Sequence, residues 1–80
     1  MTEKLRWVSQ RYRDVVHTKT RGDIVVDSCN TFDVGYETMV FPCDDSGNIT
    51  SFLELDRRIY DTEEEMKTGH YEMMGKWMCI

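Results

Sequence analysis

Eighty residues, 40% hydrophobic, 31% charged and 11% aromatic, describe a folded domain that is too apolar for a disordered chain and too charged for a membrane segment. A chain this short buries only about 60% of the surface it exposes when unfolded, so one small domain over residues 1–80 with a single core is the limit. The formal charge of −5 is unevenly spread, with six basic side chains against two acidic ones in residues 1–21 and four against thirteen in the remainder, an asymmetry that bears on partners rather than on fold.

At the start of the chain, Leu5, Val8, Tyr12, Val15 and Val16 match helical spacing, while residues 12–18 also make a passable strand. The turn-like run at 18–23 favours a hairpin partner over residues 11–18. Residues 23–29 and 36–41 are rich in β-branched and aromatic side chains and short enough for sheet. Between them, residues 30–35 supply turn chemistry, with Gly35 able to take a positive φ, so an antiparallel hairpin is expected. Pro42 ends the second strand, and Asp44, Asp45, Ser46, Gly47 and Asn48 form a strand-linking turn. Residues 49–60 fit either a further strand or an extended segment with one helical turn near 52–55.

The clearest element begins at Thr62-Glu63-Glu64-Glu65, a capping box in which the Thr62 hydroxyl accepts from the Glu65 amide and the Glu65 carboxylate reaches back to the Thr62 amide. Three acids at the positive end of the helix dipole reinforce the start. Met66, His70, Met73 and Trp77 recur at helical spacing, with Tyr71, Met74 and Met78 widening the stripe, so one face packs against the sheet. Gly69 and Gly75 each cost about 1 kcal/mol against alanine in a helix interior, which points to a close backbone approach at both. The expected fold is α+β: an antiparallel sheet of three to four strands with the helix of residues 62–79 on one face, burying Met66, Met73, Met74 and Trp77 against Val25, Met39, Phe41 and Leu55. So small a core leaves open a monomer or a homodimer that covers the other sheet face with Trp7, Tyr12 or Tyr36.

No stretch approaches the roughly 18–20 apolar residues of a membrane span, and residues 1–6 are charged with no apolar region behind them, so neither a membrane nor secretion is expected. Three cysteines, Cys29, Cys43 and Cys79, form no CxxC pair and have no zinc-spaced histidine, so no disulfide framework, metal or cofactor is expected. Cys29 and Cys43 can face each other across a hairpin, and in a reducing cytoplasm they read as small buried thiols.

Residues 35–41, Gly-Tyr-Glu-Thr-Met-Val-Phe, and residues 55–70, which contain Arg58-Ile59-Tyr60, Thr62-Glu63-Glu64-Glu65 and Gly69-His70, resemble a group of small phage and prophage accessory proteins. That group pairs an ETMVF strand with an RxY, TEEE, GH helix start, and the resemblance spans roughly residues 22–78. It implies expression in the cytoplasm of a host bacterium and, by analogy with acidic phage proteins such as the anti-CRISPRs, a role as an inhibitor of host defence.

Among candidate site residues, His70 lies on the apolar helix stripe with no Ser, Cys or Asp near it in sequence, and it reads as a packed or hydrogen-bonded core residue; His17 is a weaker candidate still. Glu37 either points to solvent or faces the helix side and pairs with Arg57 or Arg58. Arg57 and Arg58 suit phosphate geometry but lack a glycine-rich cradle. Asp44, Asp45, Glu54, Asp56, Asp61, Glu63, Glu64 and Glu65 are close enough in sequence to form one negative surface fit for a basic channel.

No nucleophile, carboxylate dyad or metal set can be named, so an enzyme is not expected. The first expectation is a non-enzymatic inhibitor that binds a host defence protein, such as a CRISPR effector, through Asp44, Asp45, Glu54, Asp56, Glu63 and Glu64, without contacting nucleic acid itself. The alternative is a protein that sequesters a small nucleotide signal through Arg57, Arg58 and an aromatic such as Tyr36 or Trp7.

Overall fold

The structure, a computed structural model, describes residues 8–31 and 34–80. Strands β1 (Val8–His17), β2 (Asp23–Thr31), β3 (Gly35–Pro42) and β4 (Asp56–Tyr60) form one antiparallel sheet in chain order, followed by helix α1 (Glu63–Met78). This is the expected α+β architecture, and the ambiguous residues 11–17 are strand. β1 pairs with β2 with Val15 opposite Val25, β2 with β3 with Val26 opposite Val40, and β3 with β4 with Thr38 opposite Arg58. Gly35 opens β3 at φ +94°, a backbone conformation that a Cβ disfavours and glycine accepts.

The helix starts where its capping signal puts it. Thr62 is extended, and its hydroxyl accepts from the Glu65 amide at 3.1 Å. The Glu65 carboxylate accepts from the Asp61 amide at 3.1 Å instead of the expected Thr62 amide, one residue further back. From this end, beside Tyr36 and Tyr60, α1 runs across the sheet to the opposite end, where the Thr20 hydroxyl donates to the Ile80 carbonyl.

Met66, Gly69, His70, Met73 and Trp77 are the buried face of α1. Met73 and Trp77 pack with Val16, Ile24, Val26 and Val40, and Met74 and Ile80 close the margin. Tyr71 and Met78 are exposed and do not widen the stripe. Gly69 is required by contact: a Cβ there would stand 2.2 Å from the Tyr60 hydroxyl oxygen. Gly75 has nothing within 4 Å of its would-be Cβ, so the close approach expected there is absent.

The expected helix contacts Val25, Met39 and Phe41 lie instead on the far face of the sheet, because side chains alternate along a strand and these three share the parity opposite to Val26 and Val40. Leu55 lies just before β4, 36% exposed. The far face is partly covered by residues 43–55, where Ile49 packs on Val25, Phe41 and Cys43. The Thr50 amide donates to the Pro42 carbonyl and the Leu55 amide to the Val40 carbonyl, which tie this segment to the end of β3.

Tyr12 and Tyr36 stand on the parity of Ser28 and Thr38, the helix side, so neither is available to cover the far face in a dimer, and Trp7 lies outside the described residues. Cys29 sits opposite Glu37, whereas Cys43 lies beyond Pro42 and bridges to Ile49, so the two thiols do not face each other. Among the described residues no helix is long and apolar enough to cross a membrane.

Candidate functional site

The polar residues on the helix side form one chain of hydrogen bonds. His70, 0% exposed, places Nδ1 2.7 Å from Ser28 Oγ and Nε2 2.8 Å from Asp14 Oδ2. Ser28 Oγ also meets Thr38 Oγ1 at 2.5 Å, and the Tyr60 hydroxyl donates to Thr38 Oγ1 at 3.1 Å. One proton order satisfies every group: Tyr60 donates to Thr38, Thr38 to Ser28, Ser28 to His70 Nδ1, and His70 Nε2–H to the acceptor-only Asp14 carboxylate. The chain joins all four strands to α1, and among the described residues no buried side-chain nitrogen or oxygen lacks a partner.

Asp14, His70 and Ser28 stand in the order of a nucleophilic triad, yet the chemistry of one is blocked. Ser28 is 0% exposed and sealed under His70 and Thr38. A carbonyl carbon must approach the serine oxygen within about 3–3.5 Å to react, and no path reaches it. The arrangement instead satisfies polar groups that the core-facing strand positions would otherwise bury unpaired, each worth about 1–3 kcal/mol if left so. Sequence order hides this chain, since its partners are 42 and 56 residues from His70. The available signal is parity: Ser28 shares a face with Ile24 and Val26, and Thr38 with Val40, and a polar residue on a core-facing parity needs a partner.

The expected anion clamp does not assemble. Arg57 is on the far face, where Nη2 donates to the buried Glu37 at 3.3 Å and Nη1 lies 3.8 Å from Glu54. Glu37 is therefore paired with Arg57, but on the side away from the helix. Arg58 is on the helix side, with its guanidinium 5.3 Å from the Tyr60 ring centroid and bonded to Glu72 at 3.0 Å. The Glu72 hydrogen bond raises the already high Arg58 pKa. Tyr36 shares the face of Arg58, opposite Tyr60 two residues further along β4, while Arg57 is on the other face, so the two arginines diverge and each is paired with a carboxylate.

The acidic residues are likewise divided. Asp44 folds back on its own turn, accepting from the Ser46 and Asn48 amides at 2.9 Å and from Asn48 Nδ2 at 3.2 Å. The Asn48 amide and its neighbours hold the Asp44 carboxyl below its ordinary range. Asp56 accepts from Lys76 Nζ at 2.7 Å and Trp77 Nε1 at 3.0 Å. Desolvation pushes the Asp56 carboxyl up, but the combined bonds from Lys76, Trp77 and the Arg57 amide outweigh it and hold the carboxyl low. Asp44 and Asp45 follow Pro42, whereas Asp61, Glu63 and Glu64 follow Tyr60, which pairs with Tyr36. The six-residue strand rise between Tyr36 and Pro42 separates these groups by about 20 Å.

Among the described residues, the carboxylates with no hydrogen-bond or ion-pair partner are Asp45 at one end and Asp61, Glu63 and Glu64 at the other. Of the second group, Asp61 and Glu64 line an open groove of about 460 Å³ between the β4 edge and α1, together with Glu65, Glu72 and Arg58. Also among the described residues, no group of three or more His, Cys, Asp or Glu is placed to hold a metal ion. No family model, curated protein or solved structure compared with the chain matches it.

Proposed function

We propose that this domain is a non-enzymatic, phage-encoded binding protein that acts in the cytoplasm of a host bacterium and inhibits a defence complex by occupying a basic, nucleic-acid-handling surface. The phage setting rests on the resemblance of residues 35–41 and 55–70 to small phage and prophage proteins. The observation that carries the reading is the free acidic end, where Asp61, Glu63 and Glu64 are unpaired while the carboxylates of Asp27, Glu37, Glu54, Asp56 and Glu72 are held by Arg or Lys and those of Asp14 and Asp23 by histidine rings within the fold. Unpaired carboxylates keep their full field for a partner, steer encounter with a basic surface, and lose that advantage as salt screens them.

The partner surface is thus narrower than the sequence suggests: Glu63 and Glu64 remain in it with Asp61, Asp44 and Asp56 serve the fold, and Asp45 stands apart. The test is affinity capture from phage-infected host cells at low and high ionic strength, using the wild type and a variant carrying Asp61→Asn, Glu63→Gln and Glu64→Gln. Circular dichroism establishes that the variant is folded. Capture of a nucleic-acid-handling complex by the wild type, lost in the variant and weakened by salt, is the expected result. Equal capture by the folded variant removes the acidic end from the interface.

A further inference from the structure

The far face of the sheet, between β1 and residues 48–52, holds an open depression of about 530 Å³ in which cationic and aromatic side chains converge, unlike the separated Arg57, Arg58 and Tyr36. Its floor includes Phe41, 6% exposed, and Met39. Phe52 meets the Phe41 ring edge-on, with centroids 5.8 Å apart at 66°, yet is itself 78% exposed, so most of its surface is offered to solvent. An aromatic side chain left this open contributes little to the core and is positioned to take a second planar group.

The cations come from the neighbouring edge strand. Arg11 and Arg13 stand two residues apart on β1, on one face, with Cα atoms about 7 Å apart. Arg11 donates from Nε and Nη2 to Asp27 at 3.3 and 3.2 Å, which fixes its fork and leaves Nη1 outside this pairing. Arg13 has no hydrogen bond or ion pair among the described residues, and it lines the depression beside Arg11. On the opposite rim, Asn48 spends an amide hydrogen on Asp44 and keeps its carbonyl oxygen as an acceptor.

A planar guanidinium offers paired donors that match phosphate oxygens, and an exposed phenyl ring beside an apolar floor takes a base by stacking. The volume is that of a small-molecule site. The formal charge of −5 and the free acidic end oppose a long polyanion, which gathers its affinity from many phosphate contacts, far more than they oppose a ligand with one phosphate group. We propose that this depression binds a nucleoside monophosphate, with the base on Phe52 and the phosphate on Arg13 beside the Asp27-anchored Arg11.

The test titrates the full chain with AMP, GMP, CMP and UMP, with inorganic phosphate, and with a single-stranded oligothymidylate, following amide chemical shifts and calorimetric heats. Saturable binding of at least one mononucleotide is expected, with shifts centred on Arg13, Phe41 and Phe52, and with inorganic phosphate about tenfold weaker or more. Arg13→Gln and Phe52→Ala are each expected to weaken that mononucleotide about tenfold while leaving the thermal midpoint of the free protein unchanged. No saturable binding of any mononucleotide overturns the proposal, as does unaltered affinity in both variants. Tighter binding of the oligonucleotide than of every mononucleotide overturns it in favour of a single-strand platform. Neutralising Asp61, Glu63 and Glu64 leaves mononucleotide affinity undiminished, so the acidic-end reading and this site fail independently.

Discussion

On the helix side of the sheet, Met66, Met73 and Trp77 close over strand residues that are almost fully buried, and the polar groups caught there are chained from Tyr60 through His70 to Asp14. On the far side, Cys43 and Ile49 of residues 43–55 form a small cluster with Val25, Phe41 and the partly buried Met39, and the charges beyond it pair locally, Arg11 with Asp27 and Arg57 with Glu37. The same four strands thus carry a sealed face and a half-open one. The lesson is in the kind of satisfaction: buried groups on the sealed face must find partners within the protein, whereas on the half-open face Arg13, Phe52 and Ile59 remain unspent for something outside it.

The comparison breaks first at Trp77. Trp77→Ala is expected to destabilise the domain by about 3–5 kcal/mol, because a side chain 5% exposed leaves a cavity and the Asp56 carboxylate loses the indole N–H. Denaturant unfolding of a cooperative Trp77→Ala protein with near-native stability would show that the sealed face is not the core.

Ser28→Ala is expected to cost about 1–3 kcal/mol, since it strands His70 Nδ1 and the Thr38 hydroxyl together in a dry interior. The same chemical denaturation measures it. A cost near zero means that water reaches the chain and that the face is not sealed at His70.

Two helix glycines sharpen the picture with opposite signs. Gly69→Ala pushes a methyl into the Tyr60 ring, which is anchored by its bond to Thr38, and is expected to destabilise by about 1–3 kcal/mol. Gly75→Ala meets nothing and is expected to stabilise by about 0.5–1 kcal/mol through helix propensity alone. Thermal melts of the pair decide whether contact with Tyr60 is confined to one of them.

The smallest effect belongs to the half-open face. Phe52→Ala is expected to change stability by no more than about 0.5 kcal/mol, because its ring is largely in water already. A loss comparable to that of Trp77→Ala, read from the same melts, would make residues 43–55 a second core wall and close the depression as a site.

Local chemistry sufficed for β2, β3 and α1, whereas the segments that form β1 and β4 fitted more than one element. The Thr62 cap, the spacing of Met66, His70, Met73 and Trp77, the β-branched run at 23–29 and the turn ending at Gly35 were all legible in the chain, because capping, periodicity and glycine conformation act over a few residues. Which strand parity faces the helix was not legible: Ile24, Val25 and Val26 are apolar in succession and all 0% exposed, since residues 43–55 cover one side while α1 covers the other. The same holds for the sites. Only tertiary packing set His70 between Ser28 and Asp14, turned Arg57 and Arg58 to opposite faces, parted Asp44 from Glu63, and brought Arg13 beside Phe52, because these relations join residues far apart in the chain, from 14 to 56 positions for the bonded pairs, across which composition and periodicity carry no information.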